Sequence, residues 1–348
     1  MQEWLQELHS SITSLSELKK HFALTKEESE VFNSCEKRKF RITPHIINLI
    51  KYNDADGKIR KQFIPSIQKV TSLSEFEDDY LHEADNEVCD NLVIRYPHKA
   101  ILLVTHECPA YCQFCTRSRI IGKHTKIRDL SAAYMYLTKH PEIYDIVITG
   151  GDPLILEDCE LENIFQKLRE IKSIKLIRLN TRIPVTLPKR VNKSLIDLLK
   201  KYNINYMNIH FEHPDEISAE TIDACLNLAD NGILLGSQSV LLNQINDNKE
   251  ILKTLFLRLL SIKVRPYYLY QCDKVDGCQS FYVSPRKGIS LINSILEELP
   301  GLCIPRFVID SPDKMGKITV APNGLISLGE DSLQLKNYYN GNEYTYKL

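Results

Sequence analysis

The sequence predicts an α/β fold of parallel strands joined by helical crossovers, and two observations carry that expectation. Short β-branched apolar runs recur six times between residues 100 and 273, each followed by room for an amphipathic helix. Polar residues uncommon in a core gather at the carboxyl ends of those runs, where parallel α/β architectures bind ligands. At 348 residues with 43% hydrophobic content, the chain suits one large barrel-like domain with appendages, or two domains. Its 44 basic and 45 acidic side chains leave a net charge of -1, so no broad basic field draws nucleic acid or an anionic membrane. The opening "MQEWLQELHS" carries acids in place of an apolar signal, and no uncharged run is long enough to span a bilayer. A cytoplasmic small-molecule enzyme, with no nucleic-acid and no membrane partner, fits that balance.

Residues 1–90 read as a helical region. Trp4, Leu5, Leu8, Ile12, Leu15 and Leu18 recur at helical spacing, and Thr43 before Pro44 is an N-cap followed by a first-turn proline. Residues 91–300 hold the six runs: "AILLVT" (100–105), "IVITG" (146–150), "KLIRLNT" (175–181), "NYMNIHF" (205–211), "ILLGSQSVLL" (233–242) and "VRPYYLYQCD" (264–273). The stretches between them, such as "LENIFQKLREI" and "NKSLIDLLKKY", carry one apolar stripe and read as helices. Residues 301–348 contain "IPRFVID", "GKITVAP" and "GLISLGE", strands separated by turn residues, expected as a small C-terminal extension.

The chemistry starts in "THECPAYCQFCTRSR", which follows the first run and holds Cys108, Cys112 and Cys115. Ten cysteines in a long chain without a secretion signal point to metal binding or buried thiols rather than disulfides. Cys35, Cys89, Cys159, Cys225, Cys272, Cys278 and Cys303 are scattered and read as small buried hydrophobes. A structural zinc wants four ligands, commonly as two pairs, and no second pair stands at a fitting spacing. Three thiolates leave one coordination position open, the demand of a [4Fe-4S] cluster with one iron free for a ligand. "GGDP", "NTRIP", "HFEHP" and "CDKVDG" follow later runs, so one shared site above the strand ends is the economical reading.

The spacing Cys-x3-Cys-x2-Cys after a first strand is the signature of radical S-adenosylmethionine enzymes. With "RYPHKAILLVTHECPAYCQFCTRSR", "IVITGGDPLIL", "IRLNTRIPVTLP", "HFEHPDEI", "LLGSQSVLLNQIND", "RPYYLYQCD" and "FVIDSPDKMGK", in that order, residues 95–327 resemble the lysine 2,3-aminomutase family. The resemblance implies a partial (β/α)6 TIM-like barrel holding a [4Fe-4S] cluster, S-adenosyl-L-methionine and pyridoxal 5'-phosphate. The implied reaction is an isomerisation in which the α-amino group of lysine moves to the β carbon. It also implies an electron donor such as flavodoxin or ferredoxin, and leaves a homo-oligomer open.

Residue by residue, the resemblance makes Cys108, Cys112 and Cys115 the cluster ligands. Gly150, Gly151 and Asp152 become the motif for the methionine part of S-adenosylmethionine, the glycines letting backbone approach a ligand and Asp152 accepting from its ammonium. His210 and Gln238 fall near the adenosyl part; satisfied buried polar residues are their plain alternative. Lys317 stands at the position that takes pyridoxal phosphate, with Arg95 and Tyr96 for the phosphate and Lys99 where an arginine is usual. Lysine there keeps the charge and loses the two-pronged geometry. Four glycines precede the lysine in members with lysine activity; this chain has Asp313, Lys314, Met315 and Gly316, and Lys314 offers a second amine.

Arg117 resembles the arginine for the substrate carboxylate, and Asp273 and Asp310 the paired acids for the distal ammonium of lysine. Two carboxylates at a buried pocket end repel unless a cation lies between them, which favours a basic substrate. The chain has no cysteine beyond Cys303, unlike long members with a zinc-binding tail, and resembles the shorter branch that modifies elongation factor P. Free β-lysine metabolism stays open beside that pathway. Other readings are another basic amino acid as substrate, a member working without pyridoxal phosphate, and a non-catalytic zinc protein.

Overall fold

Up to residue 66 the chain follows its helical periodicity, in short helices at Glu3–His9, Leu15–His21, Lys26–Asn33, Pro44–Tyr52 and Arg60–Phe63. The computed structural model describes residues 2–33, 39–66, 76–122, 129–204, 206–312, 316–337 and 342–347. Thr43 caps its helix as the sequence predicts, its hydroxyl accepting from the Ile46 amide at 3.3 Å ahead of Pro44. The helices bury Ile12, Leu18, Ile42, Ile46, Ile59 and Phe63 in a separate core that includes Ala110 and borders Cys112. This region thereby packs on the cysteine loop.

Strands β1 (Glu87–Cys89), β2 (Leu92–Tyr96) and β3 (Lys99–Thr105) run antiparallel, β2 and β3 joined by a tight turn that pairs Tyr96 with Lys99. From β3 onward the neighbours are parallel: β4 (Asp145–Gly150), β5 (Leu176–Thr181), β6 (Tyr206–Ile209), β7 (Leu234–Leu241), β8 (Val264–Gln271) and β9 (Arg306–Ser311). Helices at Ser131–Lys139, Asp158–Glu170, Lys193–Lys201, Ala219–Asp230, Lys249–Ser261 and Pro285–Ile295 follow β3 to β8 in turn. These are the six βα units of a partial barrel. Every residue of β4 is buried, as a strand covered on both faces requires. The main core joins Ile146, Ile148, Leu179 and Leu269 of the strands to Leu161, Phe165, Leu195 and Phe256 of the helices.

The C-terminal segment departs from the expected small extension. "IPRFVID" becomes β9, a seventh parallel strand, because Phe307 and Val308 are fully buried there. "GKITVAP" becomes β10 (Gly316–Ala321), which returns antiparallel on β9 and pairs Lys317 with Asp310. Only the remainder stands apart, as a small sheet of β11 (Leu325–Leu328), β12 (Ser332–Lys336) and β13 (Glu343–Lys347). Among the described residues no helix is long and apolar enough to cross a membrane.

The main sheet has ten strands in sequential order, so β2 and β9 lie near opposite ends of it. Side chains bridge those ends where, among the described residues, backbone pairing does not. The Arg95 guanidinium on β2 donates to Asp310 Oδ1 on β9 at 2.9 Å and also to the Ser311 carbonyl. Lys317 on β10 reaches Asp310 Oδ2 at 3.1 Å, and its amide donates to the Tyr96 hydroxyl at 2.8 Å. Removing Asp310 strands Arg95, whose side chain is only 4% exposed. Asp310→Ala is therefore expected to lower stability by about 3–5 kcal/mol, read as a fall in the urea midpoint of the cofactor-free protein.

Candidate active site

The cysteine loop cannot hold itself. Three thiols in one small volume repel once ionised, and the loop has few backbone bonds of its own: Cys115 N to Cys112 O at 3.2 Å, Ser118 N to Cys115 O at 3.2 Å. Neighbours supply the rest. Tyr111 N donates to Arg41 O at 3.0 Å and Gln113 N to Gln62 O at 2.8 Å, both in the helical region, while Arg41 pairs with Glu107 at 2.8 Å. Gly122 N closes the loop on His106 O at 2.9 Å. Cys108, Cys112 and Cys115 then line one cavity together. Burial pushes all three thiols up; repulsion from Cys115 adds to it at Cys108, and repulsion from Cys112 adds to it at Cys115, which reaches about 12. At Cys112 the Arg182 guanidinium opposes that rise. Among the described residues no three cysteine, histidine or carboxylate side chains could hold a single metal ion. Three soft thiol donors on one loop, lining one cavity, fit an iron–sulfur cluster.

Gly150, Gly151 and Asp152 leave the end of β4 along the cavity wall. The space the glycines provide is taken by the chain itself. Gly150 has φ +127°, and a Cβ there would stand 2.2 Å from Thr105 O; one on Gly151 would stand 2.0 Å from Glu107 O. This closeness lets Asp152 N donate to Glu107 O at 2.8 Å, locking the β4 end to the cysteine loop. Asp152, also in the cavity wall, accepts from the Thr181 hydroxyl at 2.7 Å, the Leu154 amide at 3.1 Å and the Arg182 amide at 2.6 Å. His210, just past β6, and Gln238, on β7, line the same cavity. The His210 imidazole lies 3.4 Å from the buried Glu212 carboxylate.

The same cavity is also lined by Lys317, Asp310, Asp273, Arg117 and Tyr270. Arg117 is gripped by Glu83 through two bonds of 2.8 and 2.7 Å, with a third, weaker contact to the Thr149 hydroxyl at 3.4 Å. Burial, and then repulsion from Asp310, raises the Asp273 carboxyl to about 8; Lys317 and Arg95 pull the other way. Arg95, Tyr96 and Lys99 stand outside the cavity lining. Arg95 and Tyr96 contact the Asp310–Lys317 pair from behind, and Lys99 lies over the Tyr96 ring at 5.3 Å. Among the described residues the buried Arg95 Nε has no hydrogen-bond partner, a spare donor beside an amine-bearing wall. That set fits a phosphate-bearing aldehyde cofactor. Asp313, Lys314 and Met315 lie outside the described residues. Gly316, the last position of the expected glycine run, has φ +69° and leaves no room for a Cβ, which would meet Tyr96 Oη at 2.3 Å.

Two residues were missed in the sequence. Glu83 precedes the carboxyl ends of the strand runs by a long stretch of chain, and no local pattern marks it. Arg182 had a signal, since "NTRIP" follows the third strand run, yet only the fold shows its side chain reaching Cys112 at 2.8 Å.

The Radical SAM superfamily model matches residues 102–255, and the lysine-2,3-aminomutase model matches residues 292–347. The L-lysine 2,3-aminomutase of Clostridium subterminale is 39% identical over 340 residues, covering 97% of this chain and 82% of that protein. That of Acetoanaerobium sticklandii is 38% identical at the same coverage, 97% and 82%. The glutamate 2,3-aminomutase of Clostridioides difficile is 35% identical over 337 residues, covering 95% of this chain and 79% of that protein.

Because Gly151 sits against Glu107, its replacement acts on the cysteine loop. Gly151→Ala is expected to cut the iron retained after anaerobic reconstitution at least severalfold while leaving the far-ultraviolet circular dichroism of the barrel in place; unchanged iron content would refute this coupling.

Proposed function

This chain belongs to the lysine 2,3-aminomutase family of radical S-adenosylmethionine enzymes, and we propose that it moves the α-amino group of L-lysine to the β carbon, giving β-lysine. The family contains a glutamate enzyme as well, so membership leaves the substrate to the pocket. One observation carries the choice. Asp273 faces the cavity as an acid whose carboxyl is raised to about 8, first by burial and then by repulsion from Asp310, while the nearby cations are already committed to Asp310. A distal ammonium relieves that repulsion; a distal carboxylate compounds it.

Cys108, Cys112 and Cys115 would hold the [4Fe-4S] cluster, with S-adenosylmethionine along Gly150, Gly151, Asp152, His210 and Gln238. Lys317 would hold pyridoxal phosphate through its amine, with Arg95, Tyr96 and Lys99 for the phosphate. Bound there, the cluster with S-adenosylmethionine would supply radical hydrogen abstraction, and pyridoxal phosphate would supply carbonyl chemistry at the migrating nitrogen. The chain's own work is placement. Arg117, fixed by Glu83, offers its remaining edge to the substrate carboxylate. Asp273 and Asp310 take the far ammonium, so the β carbon is held at a set distance between two anchors. Phe114, Ile121 and Leu81 wall the cavity with apolar surface that keeps water out. A flavodoxin- or ferredoxin-class donor and a cytoplasmic location complete the proposal.

The direct test is anaerobic: reconstituted protein, S-adenosylmethionine, reductant and pyridoxal phosphate, with L-lysine or L-glutamate, products read by mass spectrometry. β-Lysine that disappears in Lys317→Ala is the expected result; β-glutamate from glutamate with none from lysine sinks the reading. Substrate binding should release the Asp273 proton, so lysine KM is expected to fall by about tenfold per pH unit below 8 and to flatten above it, on top of any titration of lysine itself. Asp273→Asn should remove that component and raise KM at pH 8 and above. Folding shows the opposite sign. The raised carboxyl contributes stability that is complete below about pH 4 and gone above 8. The gain in melting temperature from Asp273→Asn is thus expected to widen from pH 5 to 8 and then hold constant.

A further inference from the structure

Arg182 is a buried cation whose contacts the proposed chemistry leaves unused. It follows β5, is 7% exposed, and its Nη1 donates to Cys112 Sγ at 2.8 Å. Its Nη2 reaches Glu216 Oε1 at 3.3 Å and also donates to Gln62 Oε1. Gln62 Nε2 in turn donates to Glu216 at 2.7 Å, and both Gln62 and Glu216 are fully buried. The guanidinium lies between the Phe63 and Phe114 rings, at 4.8 and 5.4 Å from their centroids. Two aromatic faces, an amide and a carboxylate therefore hold it in one position, aimed at one of the three thiols of the cysteine loop.

We infer that Arg182 sets the reduction potential of the cluster, acting on it through Cys112, with Gln62 of the helical region and Glu216 setting the strength of the effect. The inference rests on the reading that the three cysteines hold a [4Fe-4S] cluster. One electron from a low-potential donor makes the cluster and its thiolates one unit more negative, and part of that charge resides on sulfur. An N–H directed at a thiolate, carried by a full positive charge in a dry setting, stabilises the reduced state more than the oxidised one. Glu216 works against this by partly neutralising the guanidinium. Arg182 is a positioning residue in this scheme, and the helical region becomes a contributor to the redox chemistry through Gln62.

A purely structural role, pinning the helical region to the barrel, makes a different forecast, so the test compares two variants expected to move in opposite directions. Parent, Arg182→Met and Glu216→Gln proteins are reconstituted without S-adenosylmethionine or amino acid, and each cluster is titrated with dithionite and mediators under electron paramagnetic resonance. In Arg182→Met the ratio of reduced to oxidised cluster at a fixed potential should fall by about tenfold, equivalent to about 59 mV for a one-electron couple. In Glu216→Gln the midpoint should move the other way, to less negative potential. Full iron content with both midpoints at the parent value, or both shifted in the same direction, overturns the proposal. Should Arg182→Met fail to retain iron, Glu216→Gln decides alone: a less negative midpoint supports the proposal and an unmoved or more negative one ends it. A parent protein that takes up zinc or no iron fails at the cluster reading instead, which the metal analysis reports separately.

Discussion

Asp310 is the point at which the architecture closes. A ten-stranded sheet that curls without pairing its ends would leave a cleft between β2 and the β9–β10 hairpin. One carboxylate, taking Arg95 on one oxygen and Lys317 on the other, joins them. Burying Arg95 and Asp310 is costly, and the arrangement holds only because each has a partner at hydrogen-bond distance, with the half-buried Lys317 on the second oxygen. The same contact brings Lys317 into the cavity wall and sets Tyr96 and Arg95 behind it. Closure of the barrel and assembly of this wall are one event.

The helical region does the equivalent work for the cysteine loop. Arg41 and Gln62 take backbone bonds from the loop, Ala110 enters the helical core, and Phe114 anchors a further apolar cluster with Cys272 and Cys278. A loop carrying three mutually repelling thiols is thus held from outside. This makes the helical region a determinant of where the three thiols lie.

Charge is distributed unevenly across the cavity. Arg117 is matched by Glu83, Arg182 by Glu216, and Asp310 by two cations, whereas Asp273 has only the residual pull of groups already engaged. An uncompensated buried acid costs stability, and its retention at a cavity wall is what a site selecting cations requires.

Much of this was legible in the residues themselves. The Thr43–Pro44 cap, the six strand runs and the three-cysteine loop are local patterns, and period, cap chemistry and ligand spacing are properties of a few adjacent residues. Most of the polar positions marked at strand ends do meet in one cavity, because parallel strands all deliver their carboxyl ends to the same rim. What the residues could not show was which neighbours claim each group first. The glycines of "GGDP" make room for the backbone at Thr105 and Glu107, β9 and β10 join the main sheet instead of forming an appendage, and Glu83 and Arg182 become partners of residues far away in the chain. Sequence alone determined the elements and the inventory of reactive groups, since both depend on short-range geometry. Only the tertiary structure decided which charges are neutralised and which are left facing the cavity, since electrostatics acts over distances in space that separation along the chain does not record.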